Sequence, residues 1–121
     1  MSFLSVALGG ALGSSLRYAI SLIPVRSAFP FLTLVTNILG SIAIGFIVGV
    51  LADKEQVSQE WQLFLKTGFC GGFTTFSTFS LEAYGLIDTK QYFSAGIYVI
   101  ASFLCCILGI WLGKKLAMLL P

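Results

Sequence analysis

Apolar and polar positions in this chain separate into long blocks rather than short periods. Four apolar stretches, about residues 3–23, 31–52, 63–87 and 93–112, are each near or above the ~20 residues that a helix needs to cross ~30 Å of hydrocarbon. They predict four transmembrane helices. The links are short: residues 24–30, bounded by two prolines and carrying Arg26, then the polar run from Asp53 to Gln62, then Asp88 to Gln91. Lys114 and Lys115 are expected to close the last helix at the lipid headgroups. No extramembrane domain is expected, so residues 1–121 read as a single transmembrane domain. The first stretch lacks the cationic start of a signal peptide and three more apolar stretches follow it, so it is read as a retained helix.

Composition fixes the solvent. The chain is 57% hydrophobic and only 10% charged, against roughly 25% charged in soluble domains. A mean hydropathy of +0.96 over the whole length places lipid, not water, around the outside. The net charge of +2 comes from single residues near segment ends, which is not the basic stripe of a nucleic-acid binder. With no histidine and five scattered carboxylates, zinc sites, histidine acid–base catalysis and Ser-His-Asp triads have no raw material, so an enzyme is not expected. Cys70, Cys105 and Cys106 are odd in number and sit in apolar stretches, as small buried hydrophobes do.

Four helices put the N-terminus, the second link and the C-terminus on one side. That side carries four cations, Lys54, Lys66, Lys114 and Lys115, against three on the other, Arg17, Arg26 and Lys90. Cationic bias sets orientation, so a near tie predicts weak topological preference and insertion both ways round. GxxxG spacings occur in all four stretches, at Gly9 and Gly13, Gly45 and Gly49, Gly68 and Gly72, and Gly109 and Gly113. They are expected to mark close helix packing.

The most informative segment is Gly68-Phe-Cys-Gly-Gly-Phe-Thr-Thr-Phe-Ser-Thr-Phe-Ser80. Two glycines followed by β-branched Thr74 and Thr75 weaken a helix near the middle of the third stretch, which predicts a break at the membrane midplane. Irregular backbone at that depth survives only inside protein or beside a polar cavity, and its freed carbonyls are either ligands for a cation or groups repaired by Ser and Thr side chains. Phe76 and Phe79 share a face, with Ser77, Thr78 and Ser80 offering hydroxyls beside them. Their electropositive ring edges suit a small anion, although phenylalanines in membranes mostly pack. Asn37 brings an amide into the second stretch with Thr33 four residues before it, a pair suited either to an anion or to a helix–helix hydrogen bond. Tyr98, Ser102 and Cys106 form one stripe on the last helix, a path lining or a packing seam. Arg17 and Glu82 are the charges deepest in their stretches, Arg17 placed to snorkel or to steer anions and Glu82 to pair with it.

At Gly9-Gly-Ala-Leu-Gly-Ser-Ser-Leu-Arg-Tyr18, Thr36-Asn-Ile-Leu-Gly40 and Gly71-Gly-Phe-Thr-Thr-Phe-Ser-Thr-Phe79 the chain resembles the CrcB/Fluc fluoride channels, over essentially its whole length. The resemblance implies an all-α membrane protein working as an antiparallel, dual-topology homodimer with two fluoride pores and a central structural sodium ion. It implies that Gly71 and Thr74 supply sodium carbonyls, that Phe76 and Phe79 line the pores and that Asn37 is the pore amide. Tyr98 and Ser102 look similar to the family's polar track and Thr33 to a hydroxyl near the pore, while Cys106 departs from the serine common in relatives. The expected role is passive relief of cytoplasmic fluoride across a bacterial plasma (inner) membrane, with lipid, fluoride, sodium and a second copy of the chain as partners.

Two other classes share parts of this pattern. A small proton-coupled drug exporter of dual topology needs a membrane-embedded carboxylate, and only Glu82 is available, since the first helix has none. A non-conducting scaffold would use the glycines and hydroxyls for packing alone, and a midplane break has no purpose there.

Overall fold

The computed structural model describes residues 1–52, 54 and 56–121, and the parts of the expected polar link at Asp53 and Glu55 lie outside the described residues. Every regular element among them is helical. Helix α1 is Ser2–Ser21 and α2 is Phe31–Leu51. Helix α3 occupies residues 59–73 and joins an α turn, Gln59–Gln62, to a π-helical stretch, Leu63–Cys70, and a last α turn, Gly71–Phe73. Helix α4 is Phe76–Asp88 and α5 is Tyr92–Ala117. By length and composition α1, α2 and α5 are each able to cross a membrane. The third apolar stretch is the one that the chain divides, into α3 and α4.

The boundaries follow local chemistry. Helix α1 stops at Ser21 because Ile23 precedes Pro24, whose ring crowds a helical conformation one residue before it. Helix α3 begins earlier than hydropathy indicates because Ser58 caps it, its Oγ accepting from Trp61 N at 3.3 Å. Helix α5 outruns its expected end at residue 112. Lysines 114 and 115 are good helix formers that suit a helix C-terminus, and Lys115 lies 5.8 Å from the Trp111 ring centroid. The turn into α5 puts Lys90 at φ 63°, the one residue other than glycine with positive φ among those described.

Packing is by glycine. Helix α1 lies against α3, and α2 against α5. A Cβ added to Gly9 would sit 2.9 Å from Phe69 N, and one added to Gly13 would sit 2.8 Å from Phe73 N. Reciprocally, Gly68 faces Val6 O and Gly72 faces Gly10 O. Across the other pair Gly45 abuts the backbone of Ile110, Gly49 the Cβ of Ala117, and Gly113 the backbone of Ile42 and Phe46. The obstructing atoms are mostly backbone and cannot swing aside, so the expected close packing at the GxxxG spacings is what the helices do. Gly109 has more room, its nearest neighbours being 3.3 Å away.

A compact core of Phe79, Ala83, Leu86, Ala95 and Tyr98, with Phe29, Leu34 and Val99 against it, joins α4 to α5 and the start of α2. Elsewhere large apolar side chains face outward on α1 and α5, among them Leu8, Leu12, Phe93, Ile100, Leu104 and Ile107. That arrangement is costly in water and favourable in lipid.

Candidate functional site

The site is built around the gap between α3 and α4. Thr74 (φ −88°, ψ 158°) and Thr75 (φ −149°, ψ 118°) are extended, so two residues leave the helix and their peptide groups need partners from elsewhere. Thr75 caps α4, its Oγ1 accepting from Thr78 N at 3.1 Å. Thr74 folds back, donating from N (3.0 Å) and Oγ1 (2.9 Å) to Cys70 O. Asn37 of α2 bridges the gap: its Nδ2 donates to Thr75 O at 3.1 Å and its Oδ1 accepts from Thr75 N at 2.8 Å. From α1, Arg17 Nε (3.1 Å) and Ser14 Oγ (3.4 Å) both donate to Gly72 O. No hydrogen bond among the described residues reaches the carbonyl oxygens of Gly71 or Thr74.

One side of this gap opens into a cavity of about 330 Å³ lined by residues of α2 (Asn37, Ser41), of the gap and its flanks (Gly71, Thr74, Phe76, Phe79) and of α5 (Ser102, Cys106). Phe76 is 70% exposed and Phe79 only 7%, so the two rings, 5.6 Å apart, carry the aromatic wall from the surface into the core. Phe79 also meets Tyr98 at 5.1 Å and Phe103 at 5.9 Å, the latter nearly perpendicular at 89°. Among the described residues, the hydroxyls of Ser102 and of Tyr98, which is fully buried, have no partner within hydrogen-bond distance. A buried hydroxyl without a partner costs about 1–3 kcal/mol, a cost that a ligand, a water or a neighbouring chain can offset.

A second, smaller cavity of about 60 Å³ lies on the Arg17 side and is lined by Arg17, Ser21, Leu32, Thr33, Thr36, Thr75 and Thr78. Thr33 Oγ1 donates to Glu82 Oε1 at 2.6 Å. The expected pairing of Arg17 with Glu82 is therefore corrected: the guanidinium goes to a carbonyl freed by the break, and the carboxylate goes to a hydroxyl one helix away.

The fold thus gathers Asn37, Gly71, Thr74, Phe76, Phe79 and Ser102 at one cavity and Arg17, Thr33 and Thr78 at another, with Thr75 common to both. Tyr98 lies in the core between α4 and α5, against Phe79, and Ser77 is exposed, 3.4 Å from Thr75 Oγ1. Sequence reasoning missed Ser41, although Thr33, Asn37 and Ser41 recur every four residues along α2, the same signal that picked out the first two. It also missed Ser14 and Gly72 as partners, and the π-helical stretch, for which the residue types carry no signal. Cys70 and Cys106 both line the large cavity, Cys106 beside Ser102 of the α5 stripe.

Long apolar helices, and one divided helix beside a cavity that carries the unpartnered Ser102 hydroxyl, define a multi-pass membrane protein. Residues 4–114 match the family model described as CrcB-like protein, Camphor Resistance (CrcB). The chain belongs to this family. It is 39% identical to a protein of Roseiflexus sp. (strain RS-1) over 100% of both chains. It is 44% identical to a protein of Pyrococcus abyssi (strain GE5 / Orsay), covering 94% of each chain. A protein of Hyphomonas neptunium (strain ATCC 15444) is also 44% identical, over 94% of this chain and 96% of its own. All three relatives carry the name fluoride-specific ion channel FluC, which describes channels rather than enzymes.

Proposed function

We propose that this chain is a fluoride channel that lets the anion leave the cytoplasm passively, as an antiparallel dual-topology homodimer in a bacterial-type plasma membrane. The observation that carries this reading is Ser102 Oγ, buried without a partner on the same cavity as the rings of Phe76 and Phe79. Fluoride is small and strongly hydrated, so a path for it has to replace water with fixed donors. The Ser102 hydroxyl, the second N–H of the Asn37 amide and the electropositive edges of the two phenylalanines supply such replacements. Tyr98, behind Phe79, adds a second unpartnered hydroxyl one helical turn from Ser102 on α5. Thr33, Ser77 and Thr78 would extend the path toward the Arg17 side, where a fixed positive charge favours an anion.

In this reading the break lies at the membrane midplane, and the carbonyls of Gly71 and Thr74 would hold a structural sodium ion. The donor set fits. A hard cation prefers oxygen ligands, these two carbonyls are free of other donors, and a two-fold related chain would double their number. Bound there, sodium supplies positive charge that offsets repulsion between anions in two neighbouring paths. No energy source is needed for export. A negative-inside potential is worth about 2.3 kcal/mol per charge per 100 mV, which holds the anion roughly fiftyfold lower inside at equilibrium.

The test is fluoride efflux from liposomes containing purified protein, with chloride as control and Asn37→Ala and Phe79→Ile alongside, each normalised to folded protein. Fast fluoride efflux with negligible chloride movement, lost in both variants, is the expected result. No efflux from well-folded wild-type protein would overturn the homodimeric channel, and proton-coupled dye export by the same preparation would replace it with the exporter.

A further inference from the structure

The carbonyls around the break fall into two sets. Those of Cys70, Gly72 and Thr75 are taken, by Thr74, by Arg17 with Ser14, and by Asn37 respectively. No hydrogen bond among the described residues reaches those of Gly71 and Thr74, and both residues line the large cavity. Gly72 does not line that cavity, nor does any residue of α1. The two free carbonyls therefore bracket, in sequence, one that α1 holds from outside. Arg17 is the one charged side chain hydrogen-bonded to the break among the described residues.

We propose that Arg17 is a positioning residue for the cation site: by holding Gly72 O on the α1 side, it fixes the peptide planes that leave Gly71 O and Thr74 O to the ion. The inference rests on the proposed sodium site. A guanidinium is permanently charged and makes this bond through Nε, a donor in a rigid plane. Lysine keeps the charge but places it on a flexible stem with no Nε, so it does not reproduce the contact. A steering role by charge alone predicts the reverse, since lysine attracts anions as well as arginine does. Ser14, the longer of the two donors to Gly72 O, assists and does not substitute.

The experiment compares wild type with Arg17→Lys, Arg17→Gln and Ser14→Ala. The first readout is the thermal-unfolding midpoint as sodium replaces N-methylglucamine at constant ionic strength, and the second is fluoride efflux. Wild type is expected to gain stability with sodium. Loss of a hydrogen bond from a charged donor shifts an equilibrium by about tenfold or more, so both Arg17 variants should need about ten times more sodium for the same gain, with slower efflux. Ser14→Ala should move the titration in the same direction by less, and it keeps the test open if Arg17→Gln fails to fold. Arg17→Lys with the wild-type sodium titration would overturn the proposal in favour of a role through charge, as would Arg17→Gln with normal sodium response and slow efflux. If wild type itself shows no sodium-dependent gain, the sodium site fails and the role of Arg17 fails with it. The failing protein thus tells the two failures apart.

Discussion

Asn37 gives both ends of its amide to a single residue, Thr75, and this makes its worth to the fold separable from any contact with an anion. Replacement by alanine leaves Thr75 N–H and C=O without partners, each orphan costing about 1–3 kcal/mol, so Asn37→Ala should lose about 2–6 kcal/mol of stability in detergent unfolding. Its effect on flux has meaning only per folded molecule. Phe79→Ile removes no hydrogen bond and keeps an apolar side chain, so flux lost there with smaller destabilisation points to the ring itself. Lys90 gives the opposite kind of prediction. At φ 63° a Cβ crowds the following carbonyl oxygen, while glycine has none. Lys90→Gly should therefore raise unfolding stability by about 0.5–1 kcal/mol after allowing for the greater freedom of glycine when unfolded.

Between elements, the same residue type does two different things on one helix. Gly113 on α5 faces the backbone of Ile42 and Phe46, whereas Gly96 on the same helix has nothing within 4 Å of where a Cβ would stand. Gly113→Ala should push α2 from α5 and cost about 1–3 kcal/mol, while Gly96→Ala should be neutral or stabilising by about 0.5–1 kcal/mol through helix propensity. Parallel unfolding curves of the two variants check this, and equal effects would show that the glycines are compositional. The break between α3 and α4 is also an element-level feature. Thr75→Ala removes the cap of α4 and should cost about 0.5–2 kcal/mol, measured in the same way, because Thr78 N loses its acceptor.

For the whole molecule, orientation is governed by a count that barely differs across the two sides: Lys54, Lys66, Lys114 and Lys115 against Arg17, Arg26 and Lys90. In the proposed antiparallel pair both orientations must coexist. Adding lysines to the link at residues 24–30 should drive the chain into one orientation and abolish fluoride efflux, and co-expression with a variant biased the other way should restore it. Efflux that survives in a singly oriented population, read by labelling cysteines placed at the termini, would rule out the antiparallel assembly.

The sequence alone determined the solvent, the number of apolar stretches, the weak point at Thr74–Thr75 and the glycine seams. Each follows from short-range properties, namely hydrophobic length, intrinsic backbone preference and side-chain size, that a residue carries wherever it is placed. The pairing of Phe76 with Phe79 was legible for the same reason, three residues being close to one helical turn. Only the tertiary structure decided who satisfies the broken backbone. That Asn37 serves Thr75, that Arg17 serves Gly72 rather than Glu82, and that Thr33 serves Glu82 depend on which helices meet at which height, information spread over pairs as far as 55 residues apart. The division of the candidate residues between two cavities has the same origin: spacing along a helix assigns a residue to a face, but only the neighbouring helices decide what that face encloses.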